Sequence, residues 1–228
     1  MNSKKTIHLF VLVLLLLSII SCTNKKKSYW ENGLIKSELE YKGDKLNGKA
    51  VWFFENGNKE QEANYIENKL DGEMKRWHFN GHPESVAWYK MGKLNGTALT
   101  YDNNGNKIIE ENYLNDTLNG LFRQWHPNGG LKIEGHYTNG LYDGQWIYYD
   151  ITGNIVGLGN FVQGEGVQKA WWPNGKIKRE TEYKHNLKHG TEKWVQDEEA
   201  RYDCPECGHR LFRGAKQCNK CKTAVNLD

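Results

Sequence analysis

Residues 53–81 read FFENGNKEQEANYIENKLDGEMKRWHFNG, and the pair Asn56-Gly57 at one end returns as Asn80-Gly81 at the other. Each pair is followed eight residues later by an aromatic, Tyr65 and Tyr89. Working outward, the same unit is found as Asn32-Gly33 with Tyr41, Asn104-Gly105 with Tyr113, and Asn128-Gly129 with Tyr137. A worn copy has Thr152-Gly153 with Phe161, and the last has Asn174-Gly175 with Tyr183. The glycines are 24 residues apart five times and then 22. A fixed period of this length is the signature of a repeat array.

Asn-Gly between alternating strands is a strong hairpin signal, because a two-residue type I′ turn needs φ > 0 at both central positions. A second turn signal follows each repeat glycine by eleven residues, at Asp44, Asn68, Gly92, Asp116, Gly140 and Asn186. These residue types tolerate the left-handed conformation. The expected fold is all-β, an elongated single-layer antiparallel meander of about fourteen strands, two per repeat, each roughly 4.8 Å from the next. If Asn56-Gly57 is a two-residue loop, Tyr65 falls opposite Gly48, and the same arithmetic sets Tyr89, Tyr113, Tyr137, Phe161 and Tyr183 opposite Gly72, Gly96, Gly120, Gly144 and Gly166. A ring laid over a cross-strand glycine covers bare backbone. Leu70, Leu94 and Leu118 should flank the tyrosines on their other side. The 22-residue step predicts a distorted second turn in the sixth unit.

Another aromatic precedes each repeat glycine by four residues, giving the row Phe53, Trp77, Tyr101, Trp125, Tyr149 and Trp171 after Tyr29. Strand parity sets this row on the face opposite Tyr65. It is the candidate partner-binding surface, since exposed aromatic rows mark interaction sites. The competing reading has the same rings covering their own strands, packed on Leu131, Ile155 and Ile177. Glu134 opposite Arg123 and Glu180 opposite Lys169 read as solvated rungs.

These blocks make the array resemble the MORN-repeat family in its bacterial variant form, over about residues 29–195. The resemblance implies a hairpin sheet used as a binding or spacing module. It also brings the antitoxin label that many bacterial proteins of this variant type carry.

The N-terminus reads as an address. Lys4 and Lys5 precede an apolar stretch from Leu9 to Ile20, too short to span a bilayer and right for a signal-peptide core. Ile19-Ile20-Ser21-Cys22 resembles a bacterial lipobox, in which the cysteine is lipidated and becomes the new N-terminus. Acyl chains on Cys22 would then replace a helix as the anchor. Residues 1–21 are expected as signal peptide, 22–28 as a polar tether, 29–195 as the array, 196–202 as a linker and 203–228 as a zinc ribbon. In that last segment Cys204, Cys207, Cys218 and Cys221 form two C-x-x-C knuckles, the spacing of a tetrahedral structural Zn²⁺ site. Arg210, Arg213, Lys216, Lys220 and Lys222 offset the thiolate charge. The stretch looks like the short zinc-ribbon family, which implies a structural site; disulfides are the alternative in an oxidising compartment.

The formal net charge of +3 over 228 residues argues neither for nor against nucleic acid, and no nucleic-acid partner is expected. Phosphate-binding glycine loops, nucleophile elbows and metalloprotease helices are absent from the sequence, so no enzyme is expected. His78, His126, His185 and His189 read as surface residues. The expected function is a membrane-anchored, non-catalytic protein-interaction scaffold in the bacterial envelope, on the outer-membrane or periplasmic side. An antitoxin or immunity-like partner, or a binder of cell-wall glycan, is the alternative.

Overall fold

Sixteen strands form one antiparallel sheet in the computed structural model, which describes residues 24–195, 201–203, 207 and 210–212. The strands are β1 (Asn24–Tyr29), β2 (Ile35–Lys42), β3 (Lys45–Phe53), β4 (Lys59–Ile66), β5 (Lys69–Trp77), β6 (Pro83–Lys90), β7 (Lys93–Tyr101), β8 (Lys107–Leu114), β9 (Thr117–Leu118), β10 (Gly120–Trp125), β11 (Leu131–Thr138), β12 (Leu141–Tyr149), β13 (Ile155–Val162), β14 (Glu165–Trp171), β15 (Ile177–Lys184) and β16 (Leu187–Trp194). Their order in the sheet follows the chain, with β9 beside β8. Two further strands, β17 (Arg201–Asp203) and β18 (Arg210–Phe212), pair with each other. The chain divides into two compact units, one running to Lys107 with Tyr113–Asp116, the other holding Ile108–Asn112 and the chain from Thr117 on. No helix among the described residues is long and apolar enough to cross a membrane.

The array begins earlier than the aromatic count suggested. Asn24–Ser28, expected as tether, form most of β1 and pair with β2. Lys25 and Lys27 reach Glu38 at 3.3 and 2.7 Å, and Ser28 Oγ lies 2.8 Å from Ser37 Oγ, so a polar segment gains enough cross-strand partners to join the sheet. At the other end, the linker is shortened by β17, which starts at Arg201.

The Asn-Gly hairpin is not a two-residue type I′ turn. Gly57 N–H donates to Phe54 O (2.9 Å), Phe54 N–H donates to Asn58 O (2.8 Å), and only the glycine has positive φ (+84°). This is a three-residue loop, a type I turn followed by a left-handed glycine. The loop is one residue out of the anticipated register, and a bulge at Glu60 restores it: Phe53 pairs with Lys59 but Trp52 with Gln61. Two offsets of opposite sign therefore leave Tyr65 opposite Gly48, as expected. Tyr89, Tyr137, Phe161 and Tyr183 likewise face Gly72, Gly120, Gly144 and Gly166.

The type I′ conformation is found at the second turn instead, where Glu67 and Asn68 have φ of +52° and +67°. Beyond it lies another bulge: Tyr65 pairs with Leu70 but Ala63 with Met74, so Asp71, Gly72 and Glu73 all stand opposite Asn64. This bulge explains the repeated glycine. Gly48, Gly72, Gly96 and Gly120 have φ between +106° and +123°, a range costly for any residue with a Cβ. A Cβ at Gly48 would point at Glu40 and one at Gly72 at Asn64, on the face away from the tyrosines. The positive φ of the bulge by itself demands glycine at these positions. The bulge backbone is satisfied locally, as in Lys49 N–H to Glu40 Oε2 (3.0 Å) and Asn112 Nδ2 to Leu121 O (2.8 Å).

The 22-residue step loses that bulge and not the turn. Gln163 and Gly164 keep the type I′ values of +50° and +81°, while β13 and β14 pair in one unbroken register from Gly157↔Ala170 to Val162↔Glu165. Removing two residues removes the two extra bulge residues and leaves a plain hairpin.

Glycines aside, seven of the eight buried side chains among the described residues sit on the tyrosine face: Ser37, Ala50, Ala63, Trp146, Phe161, Gln168 and Thr181, with Val51 the exception. In the second unit this face holds a ring cluster of Phe122, Tyr137, Tyr142, Trp146, Phe161 and Tyr183. Tyr142 and Tyr183 come within 6.2 Å although their strands are three apart. In a flat sheet that spacing is roughly 14 Å, so the second unit curls over this face. Burial pushes the phenols of Tyr137 and Tyr148 above the ordinary tyrosine range.

Candidate functional site

The second aromatic row lies on the face opposite Tyr65, as parity required. Phe53, Trp77, Tyr101, Trp125, Tyr149 and Trp171 are all half-buried. Each stands at the end of its strand, beside the three-residue loop. Trp125 pairs directly with Leu131, Tyr149 with Ile155 and Trp171 with Ile177, so an aliphatic neighbour covers part of each ring. In the first unit Trp77 pairs with Pro83, and Lys59 lies over its ring at 5.4 Å.

Beside the row runs a lane of charged rungs. Lys49 and Lys59 both bind Glu62 at 2.6 Å, and with Val51 and Phe53 they line a depression of ≈ 250 Å³ in the first unit. Burial would raise the Glu62 carboxyl, but the hydrogen bonds from the two lysines outweigh it and hold the group below its usual range. In the second unit the expected pairs are formed, Arg123 with Glu134 at 2.6 Å and Lys169 with Glu180 at 2.9 Å. Solvent screens such exposed pairs, which mainly set the polarity of the surface. Between them Leu158, Asn160, Val167, Lys169 and Trp171 line an apolar groove of ≈ 500 Å³, where Leu158 stands at the position occupied by glutamate in other repeats.

The loop edge carries contacts that parity counting could not reveal. Asn56 Nδ2 donates to Phe79 O of the next repeat (2.9 Å) while its Oδ1 accepts Asn58 N–H (3.0 Å), and Asn32, Asn80 and Asn128 repeat this arrangement. Three residues before each loop glycine, Trp30, His78, His126 and Trp172 each hydrogen bond the carbonyl of the residue 23 positions on. His78 and His126, expected as incidental surface residues, are thus repeat-to-repeat staples. Their signal was legible in hindsight, since they share a position with two tryptophans whose N–H can make the same bond.

Cys22, Cys204, Cys218 and Cys221 lie outside the described residues. Cys207 is half-buried, in the loop between β17 and β18.

Residues 46–67, 94–115, 118–139 and 164–185 are each centred on one of these three-residue hairpins, with the loop glycine at the same position in all four. These four stretches match the MORN repeat variant family. MORN repeats commonly serve as protein- or membrane-interaction modules. The fourth match is the one that follows the bulge-free hairpin, so the deletion sits at a junction between MORN units and spares their centre. No curated protein matches the chain.

Proposed function

We propose that this chain is a lipid-anchored, non-catalytic scaffold of the bacterial envelope, outer-membrane or periplasmic, whose MORN repeats hold a protein partner. The observation that carries this reading is the half-buried aromatic row lying along a lane of ion pairs on the less buried face of the sheet. Mixed aromatic and charged surfaces of this kind suit protein partners, with tryptophan and tyrosine as anchors. A lipid on Cys22 would leave Thr23 alone between anchor and sheet, because β1 starts at Asn24. That holds the first repeats against the membrane surface. A toxin-like protein or a glycan strand is the alternative occupant of the same row.

The test is partner capture from native membranes with wild-type chain, Cys22→Ala, and Trp77→Ala with Trp125→Ala. The Cys22 variant is expected in the soluble fraction or unprocessed, and the tryptophan variants are expected to lose the partner without a change in melting. A Cys22 variant that stays on membranes at wild-type mass rejects the anchor. Tryptophan variants that keep the partner but melt lower assign the row to stability alone.

The ribbon reading rests on the hairpin beneath it. Asp203 pairs with Arg210, so Cys207 lies between two paired strands. Cys204, Cys207, Cys218 and Cys221 would hold Zn²⁺, which supplies folding free energy. Metal analysis is expected to find about one Zn²⁺ per chain. Two disulfides and no metal, in protein isolated from its own compartment, reject the assignment.

A further inference from the structure

The chain contains ten Asn-Gly pairs, a sequence open to self-modification. The glycine main-chain nitrogen attacks the asparagine Cγ, ammonia leaves and a succinimide closes. Water then opens either carbonyl, giving aspartate or isoaspartate. Glycine makes the attack easy because it has no side chain to block the approach. The reaction needs the asparagine amide to be free to swing toward that nitrogen, so a side chain held at both ends resists it.

The structure sorts the ten pairs by this criterion. Asn47, Asn95 and Asn119 are half-buried. Among the exposed ones, Asn32, Asn56, Asn80 and Asn128 are each held by two hydrogen bonds, one to their own loop and one to the next repeat. Asn174 Oδ1 accepts Lys176 N–H at 3.1 Å. Two remain. Among the described residues, Asn104 and Asn139 are the exposed Asn-Gly asparagines whose side-chain amides make no hydrogen bond.

The reason at Asn104 is local. Asp102 stands where neighbouring repeats have histidine, and its Oδ1 takes both Asn104 N–H and Asn106 N–H at 2.9 Å. In the other loops the second of these N–H groups goes to the asparagine Oδ1, so the aspartate displaces Asn104 from its duty. The worn sixth copy uses the same device, with Asp150 accepting from Thr152 and Asn154. At Asn139 the residue occupies the first position of a type I′ turn, φ +51°, where no neighbouring group takes its amide.

We propose that Asn104 and Asn139 are self-modification sites, converting to aspartate and isoaspartate while the other exposed Asn-Gly pairs persist. Conversion at 104 adds a carboxylate beside Asp102, and the isoaspartate form lengthens a loop closed by Gly105 N–H to Asp102 O at 2.9 Å. Conversion at 139 acts on a junction of three turns. Asn186 Nδ2 donates to Gly140 O (2.8 Å), and Asn186 N–H donates to Gly164 O (3.1 Å). A lengthened backbone at 139 moves the acceptor of the first bond.

The test ages the purified full chain in mildly alkaline buffer and maps each Asn-Gly pair by peptide mass and by isoaspartate content. Asn104 and Asn139 are expected to convert at least about tenfold faster than Asn32, Asn56, Asn80 and Asn128, the factor one net hydrogen bond is worth. Asp102→His rebuilds the loop found at His78 and His126 and should slow Asn104 relative to Asn139 in the same molecule. Equal rates at all the exposed pairs, or an Asn104 to Asn139 ratio untouched by Asp102→His in a variant that melts like wild type, would overturn the proposal. The wild-type comparison stands by itself if that variant fails to fold.

Discussion

Trp146→Ala is expected to destabilise the second unit by about 3–5 kcal/mol. Trp146 is 3% exposed and its ring centroid lies 4.5 Å from Tyr142, 5.0 Å from Tyr137 and 5.5 Å from Phe122. Its Nε1–H donates to His136 O at 3.2 Å. The ring rests on Gly135, where an added Cβ would come 2.2 Å from Cδ2, so glycine opens the space that the indole fills. Removal leaves a cavity walled by three rings that belong to a sheet and cannot collapse into it. Denaturant unfolding followed by tyrosine fluorescence measures the effect. A loss under about 1 kcal/mol would mean that the ring cluster is not the core of this unit.

Gly166→Ala is expected to cost more than about 3 kcal/mol, a severe case of overpacking. Without the bulge, β13 and β14 run close and unbroken, and a Cβ at 166 would stand 2.0 Å from Asn160 O and 2.9 Å from Phe161 Cδ1. The first contact is with main chain, so no rotamer change relieves it. Gly144→Ala is the matched control: the space beside it is open, its φ is +71°, and the expected cost is about 1–2 kcal/mol of left-handed strain. Melting curves of the two variants separate the mechanisms. Similar losses at both sites would refute the account of the shortened repeat.

Much of the sheet was legible from spacing because a strand has period two and a hairpin folds the chain back on a fixed sum of residue numbers. The Tyr65–Gly48 pairing and its counterparts, the two faces, the Arg123–Glu134 and Lys169–Glu180 rungs and the two turn positions per repeat all follow from that arithmetic. Turn chemistry was harder. Asn-Gly satisfies both a type I′ turn and a type I turn with a left-handed glycine, and the two differ by one residue that the Glu60 bulge then hides. The glycines opposite the aromatics were legible by position, and the positive-φ bulge that requires them was not, because a sequence reports that a Cβ is absent and not which constraint removed it.

The candidate row was equally visible as a pattern and opaque as a surface. Parity puts Trp125 and Trp171 on one face, and the sequence already named Leu131 and Ile177 as their neighbours; the structure adds that each stands directly opposite and that the rings are half-buried.

What the sequence by itself determined, then, is the period, the strand order, the two faces and the pairing of each aromatic with its glycine. Those depend on local chemistry that each copy states again. What only the tertiary structure decided are the places where one copy departs from the others. Asn186 reaches past the glycine turn of the shortened hairpin, accepting Tyr142 N–H at 2.7 Å across 44 residues, where the first unit's Asn68 accepts Leu46 N–H across 22. Trp146 and Phe161 bury themselves over Gly135 and Gly159 because the second unit curls. Both are long-range consequences of lost residues and added rings, and such contacts are set by how strands pack together, not by any one strand's pattern.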